Sequence, residues 1–375
     1  MISKRVYRIA GLMSGSSLDG LDLVICTFET GRDDHGAFKL YDWSVTTGIT
    51  IPYDPSWQQA LVAAIHLSGK ELAHLHTTLG GYWADLLAPY LEGVALDAIA
   101  SHGHTVFHEP DSGYTLQIGD GSVLAARLGY PVIDGFRYAD VAAGGQGAPI
   151  APLADKWLFP EYDLMLNIGG IANVTCRTGS SWVAFDICGA NQILNALAGL
   201  AGSAYDDNGD MARKGRLLED LYAQQKAIPF FRQDYPKSLS NEWVAQQQTH
   251  AFLEAPGAVE DRLFTACTLS ADLIAEAIVG LRDQFSLDKL RMLATGGGAF
   301  NGFLMEKIGA ACQLAGLNLD IQVPDKQIVA CKEAIMIALM GVFRLENEPN
   351  CMSSVTGAHR DMVAGAIHQG WKTFS

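Results

Sequence analysis

The sequence predicts an α/β protein built from a duplicated domain, and two glycine hairpins carry that expectation. In the first, the apolar run Val6 to Ala10 enters Gly11-Leu12-Met13-Ser14-Gly15-Ser16-Ser17-Leu18-Asp19-Gly20, and Leu21 to Phe28 leaves it. In the second, Leu164 to Ile168 enters Gly169-Gly170, and Ile171-Ala172-Asn173-Val174-Thr175 leaves it. Each reads as strand, tight turn, strand. Each opens one half of a 375-residue chain, which is long enough for two domains with real cores. Glycine has no Cβ, so such a turn approaches a ligand closely, and its free N–H groups cradle phosphate oxygens. The pairing suggests a nucleotide clamped between two copies.

The first turn holds Ser14, Ser16, Ser17 and Asp19. Its hydroxyls and N–H groups suit a phosphate, and its carboxylate suits hydrated Mg²⁺. A plain polar hairpin loop is the competing reading. No GxxxxGK[ST] occurs, so this is not a P-loop. Phe38 to Thr50 reads as a third strand, and Trp57 to His66 and Glu71 to Tyr90 have helical apolar spacing. Ala95 to Ser101 reads as a strand followed by His102-Gly103-His104-Thr105-Val106-Phe107-His108. Three histidines invite a zinc reading, but no Cys or carboxylate cluster with ligand spacing accompanies them. One histidine lining a cleft, with the others in ordinary hydrogen bonds, is the preferred reading.

Tyr114 to Ile118 reads as a strand, Asp120 to Leu128 as a helix and Pro131 to Ile133 as a strand. Asp134-Gly135-Phe136-Arg137 then runs into Gly144-Gly145-Gln146-Gly147-Ala148-Pro149, the best domain boundary. It divides a first domain, 1–140, from a second, 141–350, and leaves 350–375 free to pack back on the first. Arg137 could reach an anion from that hinge or form a surface ion pair.

In the second half Ala151 to Phe159 is a helix, and the second hairpin follows. Trp182 to Phe185 is a strand that stops at Asp186, ahead of Ile187-Cys188-Gly189-Ala190-Asn191 and a helix from Gln192 to Leu200. A carboxylate at a buried strand end beside a glycine turn is a usual place for catalysis in α/β proteins. It is equally a favourable partner for a helix N-terminus. Asp206 to Asp210 reads as an exposed turn capping a helix near Met211, and Pro236 to Glu242 as a loop ahead of Trp243. Glu260 to Phe285 is a long helix, or two. Leu290 to Thr295 is a strand, and Gly296-Gly297-Gly298-Ala299-Phe300-Asn301 leads to a helix near Gly302. Three glycines there suit a flat group such as adenine and bring a helix N-terminus close. Val329 to Leu345 is a helix carrying Lys332 and Glu333, either on a solvated face or with Glu333 turned into a cleft.

Composition narrows the function classes. Hydrophobic content of 49% and charged content of 18% are those of an ordinary globular protein. A net charge of −15 argues against nucleic acid or an anionic membrane as partner. Seven cysteines without a CxxC pair fit free thiols in a reducing, cytoplasmic setting. No signal segment or spanning-length apolar run is expected.

Taken together these segments resemble the anhydro-N-acetylmuramic acid kinases, of the actin, hexokinase and acetate-kinase superfamily. The resemblance rests on Gly11 to Gly20, His102 to Pro110, Thr115 to Gly119, Gly144 to Pro149, Asn167 to Asn173, Gly296 to Gly298 and Ser354 to Ala358. It implies two ribonuclease-H-like (actin-like ATPase) domains with a central nucleotide cleft, ATP and Mg²⁺ as cofactors, and a homodimer. Members open the 1,6-anhydro ring with water and phosphorylate the freed O6. By resemblance Asp186 is the catalytic aspartate. Gly15, Ser16, Ser17, Leu18, Asp19, Gly20, Leu21 and Asp22 form the first phosphate loop, with Asp19 on the metal. Gly169, Gly170, Asn173, Gly296, Gly297, Gly298 and Asn301 complete the nucleotide site, while Arg137, Glu333 and His102 hold the sugar.

Four segments depart from the family pattern. Asp186-Ile187-Cys188-Gly189-Ala190-Asn191 stands for Asp-Thr-Gly-Pro-Gly-Asn, and His102-Gly103-His104-Thr105 for His-Gly-Gln-Thr. Asp134-Gly135 reverses Gly-Asp, and Lys237-Ser238-Leu239-Ser240 stands for Lys-Ser-Thr-Gly. A sibling kinase for another sugar, and a non-catalytic ATP-binding protein of the same fold, are therefore the alternatives.

Overall fold

Two antiparallel hairpins start two separate sheets. The computed structural model describes residues 4–15, 18–179 and 181–372. The chain divides into one unit of Met1–Phe159 with Cys331–Ser375 and another of Pro160–Ala330.

In the first unit β1 (Arg5–Ser14), β2 (Gly20–Arg32) and β3 (Phe38–Pro52) form an antiparallel meander. α1 (Pro55–Ala63) and α2 (Gly69–Leu91) follow, and a Ser68/Glu71 capping box starts α2. Next come β4 (Ala98–Glu109), β5 (Tyr114–Ile118), α3 (Gly121–Leu128) with Asp120 as its cap, β6 (Val132–Asp134), α4 (Tyr138–Ala142) and α5 (Ala151–Leu158). The second unit holds β7 (Leu164–Ile168), β8 (Ile171–Thr178), β9 (Ser181–Gly189), α6 (Asn191–Leu200), α7 (Glu219–Lys226), α8 (Asn241–Val244) and α9 (His250–Glu254). It continues through α10 (Val259–Phe285), β10 (Leu290–Thr295), α11 (Gly302–Leu314) and β11 (Leu319–Gln322). α12 (Lys326–Leu345) returns the chain to the first unit, which ends with α13 (Ser353–Thr356) and β12 (Ala366–His368).

The first sheet runs β12-β6-β4-β1-β2-β3, with β5 on β4, and the second runs β11-β10-β7-β8-β9. In the first, β1–β2 and β2–β3 are antiparallel, while β4 is parallel to β1 and β6 to β4. In the second, β7–β8 and β8–β9 are antiparallel, while β10 is parallel to β7 and β11 to β10. Set β5 and β12 aside, and both sheets have the same order with the same directions. This is the duplication expected from the hairpins, and each copy has the ribonuclease-H-like order of the actin-like ATPases.

The first sheet is covered on both faces. Leu79, Trp83 and Leu87 of α2 and Leu124 of α3 pack with Leu12, Leu23 and Ile25 of the sheet. On the other side Gly11 comes so close to α12 that an added Cβ would lie 2.1 Å from the Ala334 carbonyl oxygen. In the second unit Leu164, Leu166 and Ile168 join a core with α6, α10 and α11.

Several expectations change. The unit boundaries fall at 159–160 and 330–331, not at 140–141 and near 350. Trp157 of α5 packs edge-on against Phe38 and Phe343, which holds α5 in the first unit. The glycine-rich segment 144–149 is fastened there too, because the buried Asp140 carboxylate accepts from the Gly147 N–H (2.7 Å) and the Thr356 hydroxyl (2.7 Å). The histidine segment belongs to β4 itself. β9 does not stop at Asp186, since an extra residue near Ile187 absorbs a register shift and the strand runs on to Gly189. Asp206 is buried, not exposed, and caps a short 3₁₀ turn (Ala212–Lys214) through the N–H groups of Met211 and Ala212. α10 has the length and apolarity of a membrane span, contrary to the expectation of none, and is mostly buried in the second unit's core. Lys332 lies against the buried carboxylate of Asp155 (2.7 Å) instead of on a solvated face.

Removing one partner of a buried ion pair leaves a stranded charge, at a cost of about 3–5 kcal/mol. Lys332→Ala is therefore expected to lower the urea midpoint by the equivalent of about 3 kcal/mol, and Lys332→Met with Asp155→Leu to recover most of it. A change within about 0.5 kcal/mol for the single variant would show the pair to be incidental.

Candidate active site

In the first unit the site grows from a break in strand register. Leu12 pairs with Ser101, but Ser14 pairs with His104, so the extra residue falls on β4. Gly103 occupies the left-handed region there (φ 79°), and an added Cβ would lie 2.9 Å from the Gln117 Cβ. The bulge turns both flanking histidines onto one cavity of about 290 Å³, shared with Ser14, Gly15, Leu18 and Arg137.

His102 is 3% exposed. Its Nδ1 donates to the Gly103 carbonyl (3.0 Å), and its Nε2 accepts from Arg137 Nε (2.8 Å). Burial first, then the Arg137 charge, pushes its pKa down to about 3, so the ring stays neutral. Arg137 also donates to the Gly147 carbonyl (2.6 Å), which fixes the guanidinium at two points. Burial lowers its pKa, and Glu333 acts against that. Glu333 is accessible, yet the protein around it raises its carboxyl pKa; Asp22 adds to the rise, while Arg137 and Lys332 oppose it. His102, Arg137 and Glu333 are thus brought together, and Arg137 sits inside the unit rather than at a hinge. His108 bonds to Thr115 (3.0 Å). Among the described residues no group of three His, Cys, Asp or Glu could hold a metal ion.

Ser16 and Ser17 lie outside the described residues. Around them Leu18 has φ 57°, and its N–H reaches the Gly15 carbonyl (3.4 Å). Asp19 is exposed. An added Cβ on Gly20 would meet the Ile51 carbonyl oxygen at 2.3 Å, and Leu21 is fully buried, so these two predicted loop residues are taken up by the β2–β3 pairing and are not open to a ligand. Asp22 accepts from the Thr50 hydroxyl (2.6 Å), and burial raises its pKa.

In the second unit register places the acid. Thr295, Asn167, Asn173 and Asp186 pair in turn across β10, β7, β8 and β9 and make one polar row. Asp186 accepts from the Leu239 N–H at Oδ2 (2.7 Å), and burial raises its pKa against that bond. The carbonyls of Gly169 and Gly170 accept from the N–H groups of Ala190, Asn191 and Gln192, which ties the hairpin turn to the start of α6. Gly298 packs where a Cβ would lie 2.3 Å from Ile168 Cγ2, and Gly296 takes φ 81° against the Ile168 carbonyl. Gly297 lies beside Asn191. Asn301 caps α11 through the Leu304 N–H (3.0 Å). A cavity of about 290 Å³ beside β9 is walled by Phe185, Tyr235 and Lys237 but not by Asp186.

Sequence reasoning missed two features. One is the Leu239 N–H that supports Asp186, from a loop whose backbone also accepts the Asp186 N–H at the Lys237 carbonyl (3.1 Å). The other is the set Ser14, Tyr53 and Trp83 behind His104. Only the histidine in place of the usual glutamine hinted at it.

The chain matches the family described as "Anhydro-N-acetylmuramic acid kinase" over residues 7–370. It is 31% identical to the anhydro-N-acetylmuramic acid kinase of Sulfurovum sp. over 383 residues, covering 96% of this chain and 99% of that one. The protein of that name from Nitrosomonas europaea is 31% identical, covering 96% and 98%, and that from Coxiella burnetii 32% identical, covering 97% and 98%. The solved glucokinase of the ROK family from Streptomyces griseus aligns over 90% of this chain and 99% of its own, at 10% identity and a TM-score of 0.38. That is too distant to inform the site.

His102 gives a pH test. A ring whose pKa drops from 6.5 to about 3 on folding binds fewer protons folded than unfolded within that interval. Its contribution is present above pH 6.5 and is lost as pH falls toward 3, by on the order of 1 kcal/mol per unit. Urea stability at pH 6.5, 5.5 and 4.5 should fall less steeply in His102→Gln, which keeps an acceptor for Arg137. An unchanged slope would mean that His102 is not the buried neutral base described.

Proposed function

The chain belongs to the anhydro-N-acetylmuramic acid kinase family, and from that membership we propose how its own residues carry the reaction. It is a kinase that transfers phosphate to an alcohol oxygen of a sugar. The substrate in this reading is 1,6-anhydro-N-acetylmuramic acid, with ATP as phosphoryl donor. The observation that carries the reading is Asp186: a half-buried carboxylate with one backbone donor and a raised pKa is suited to general base work near neutral pH.

Asp186 takes a proton from water as the water oxygen attacks the anomeric carbon. The bond from that carbon to O6 breaks, and O6 takes the γ-phosphoryl group, giving N-acetylmuramic acid 6-phosphate and ADP. Arg137, pinned by His102 and the Gly147 carbonyl, presents its remaining N–H groups to the sugar, and Glu333 accepts from a sugar hydroxyl. The loop from Gly15 to Asp19 and the turn at Gly169-Gly170 would offer backbone N–H groups to phosphate oxygens. Gly296 to Gly298 and Asn173 complete the nucleotide side, with Asn301 acting through the α11 cap. Asp19 is the residue we assign to Mg²⁺, which keeps most of its water and uses only one or two carboxylates. Bound there, the ion would neutralise charge on the phosphates. Seven unpaired cysteines support a reducing, cytoplasmic setting, and a homodimer follows from the resemblance alone.

Incubation with ATP, Mg²⁺ and the anhydro sugar should yield the 6-phosphate by mass spectrometry. Asp186→Asn should lower kcat by at least about a hundredfold. In the wild type kcat/KM should fall as pH drops through the raised Asp186 pKa, above the ordinary 3.8, because the base must be ionised. Product from a different sugar only would favour a sibling kinase, and near-normal turnover by Asp186→Asn would remove the assigned base.

A further inference from the structure

We propose that the cavity beside β9 is a second ligand site, for a single ring that carries a carboxylate or a phosphate, with Lys237 as its cation and the backbone of residues 237–239 as its link to Asp186. The link rests on the kinase reading above; the site itself does not. Successive side chains of a strand point to opposite faces. Phe185 lines the cavity, so Asp186 next to it faces away, and the two belong to different sides of β9. At about 290 Å³ the cavity falls at the lower end of small-molecule sites, roughly 300–1,000 Å³, which is room for one ring rather than a nucleotide.

Its walls suit such a ligand. Phe185 and Tyr235 stack with their planes 8° apart and their centroids 5.4 Å apart, which gives one wall a flat apolar surface. Another wall is the C-terminal half of α10, where Ala277 and Gly280 line the cavity. Glycine is unfavourable inside a helix. An added Cβ on Gly280 would meet nothing within 4 Å, and its backbone is ordinary helix, so neither close packing nor a turn calls for it. What Gly280 supplies is room.

Lys237 is the group without a matching charge. Its Nζ donates to the Phe230 and Phe231 carbonyls at 3.4 Å each, which is long for a hydrogen bond, and lies 5.0 Å from the Phe230 ring centroid and 5.7 Å from that of Phe185. Among the described residues no carboxylate comes within ion-pair distance of it. Glu276, also at the cavity, is already bound to Lys226 (2.8 Å). Burial lowers the Lys237 pKa, and Asp234 on the exposed rim acts against that, while Arg232 adds positive charge to the same rim. A charged oxygen bonds an ammonium more closely and strongly than a distant carbonyl does, so an anion in the cavity would draw Nζ away from Phe230 and Phe231. The carbonyl of Lys237 accepts the Asp186 N–H (3.1 Å), and two residues on the Leu239 N–H donates to Asp186 Oδ2 (2.7 Å). Moving Lys237 therefore weakens the bond that favours the ionised base.

Titration calorimetry on the full chain with benzoate, phenyl phosphate and neutral benzyl alcohol tests the site. At least one anion should bind about tenfold or more tighter than the alcohol, and the tighter of the two names the head group. Lys237→Met keeps the stem without the charge and should bring that anion down to the level of the alcohol. Gly280→Leu keeps Lys237 but fills the cavity and should abolish binding; leucine favours the helix, so this variant should keep its urea midpoint. No preference for an anion in the wild type, or binding retained in Gly280→Leu, overturns the site. In a kinetic arm, the saturating anion should lower kcat about two- to tenfold with KM for sugar and ATP unchanged, in the wild type and not in Gly280→Leu. Competition with the sugar, or an unchanged kcat, overturns the link to Asp186. If the anhydro sugar is not turned over at all, the kinase reading falls and the link with it, while the calorimetry still decides the site.

Discussion

In the first unit strand β1 and helix α12 meet at bare backbone. At Gly11 the Ala334 carbonyl of α12 occupies the place of a side chain, and at Gly341 the Ala100 methyl would stand 2.9 Å from an added Cβ. No residue with a Cβ fits either position without moving the helix. Held this close to β1 and β4, α12 sets Lys332 against Asp155 and places Glu333 in the field of Arg137 and Asp22. The candidate sugar-side groups thus come from segments nearly two hundred residues apart in the chain.

Two histidines separated by one glycine show how little side-chain identity says about role. The bulge at Gly103 lets both rings reach one cavity, but their neighbours differ. His102 meets an arginine that can only donate, so it accepts and stays neutral far below the usual pH. His104 meets a hydroxyl that is itself bonded from behind. One ring orients a cation, and the other is held against Ser14. Both depend on burial to keep water from their ring nitrogens.

The acid in the second unit has the opposite need. A base fully buried would be protonated at neutral pH, and one fully solvated would be too weak. Asp186 stands between these limits because a polar row across four strands ends on it and a single N–H from the 237–240 loop supports one oxygen. That loop and the segment Asp186 to Asn191 depart from the family pattern, yet the contact to Asp186 is made by backbone. Backbone contacts survive side-chain exchange, which gives a physical reason for the acid to be retained where its neighbours have changed.

The sequence by itself determined the duplication and most element spans, and it singled out Asp186 as the candidate acid. Apolar runs broken by glycine fix strand and turn locally, and a long helix such as α10 announces itself by spacing. It also determined the family, because seven short segments in order resist chance. Only the tertiary structure decided where the units divide, since α5 is held by Phe38 and Phe343 and the glycine-rich stretch by Asp140 and Thr356. It alone decided that Lys332 has a buried partner, that β9 continues past Asp186, and that His102 is held by Arg137 while His104 faces Ser14. Such properties depend on contacts between residues far apart in the chain. Periodicity and spacing record only what neighbours in sequence impose on one another.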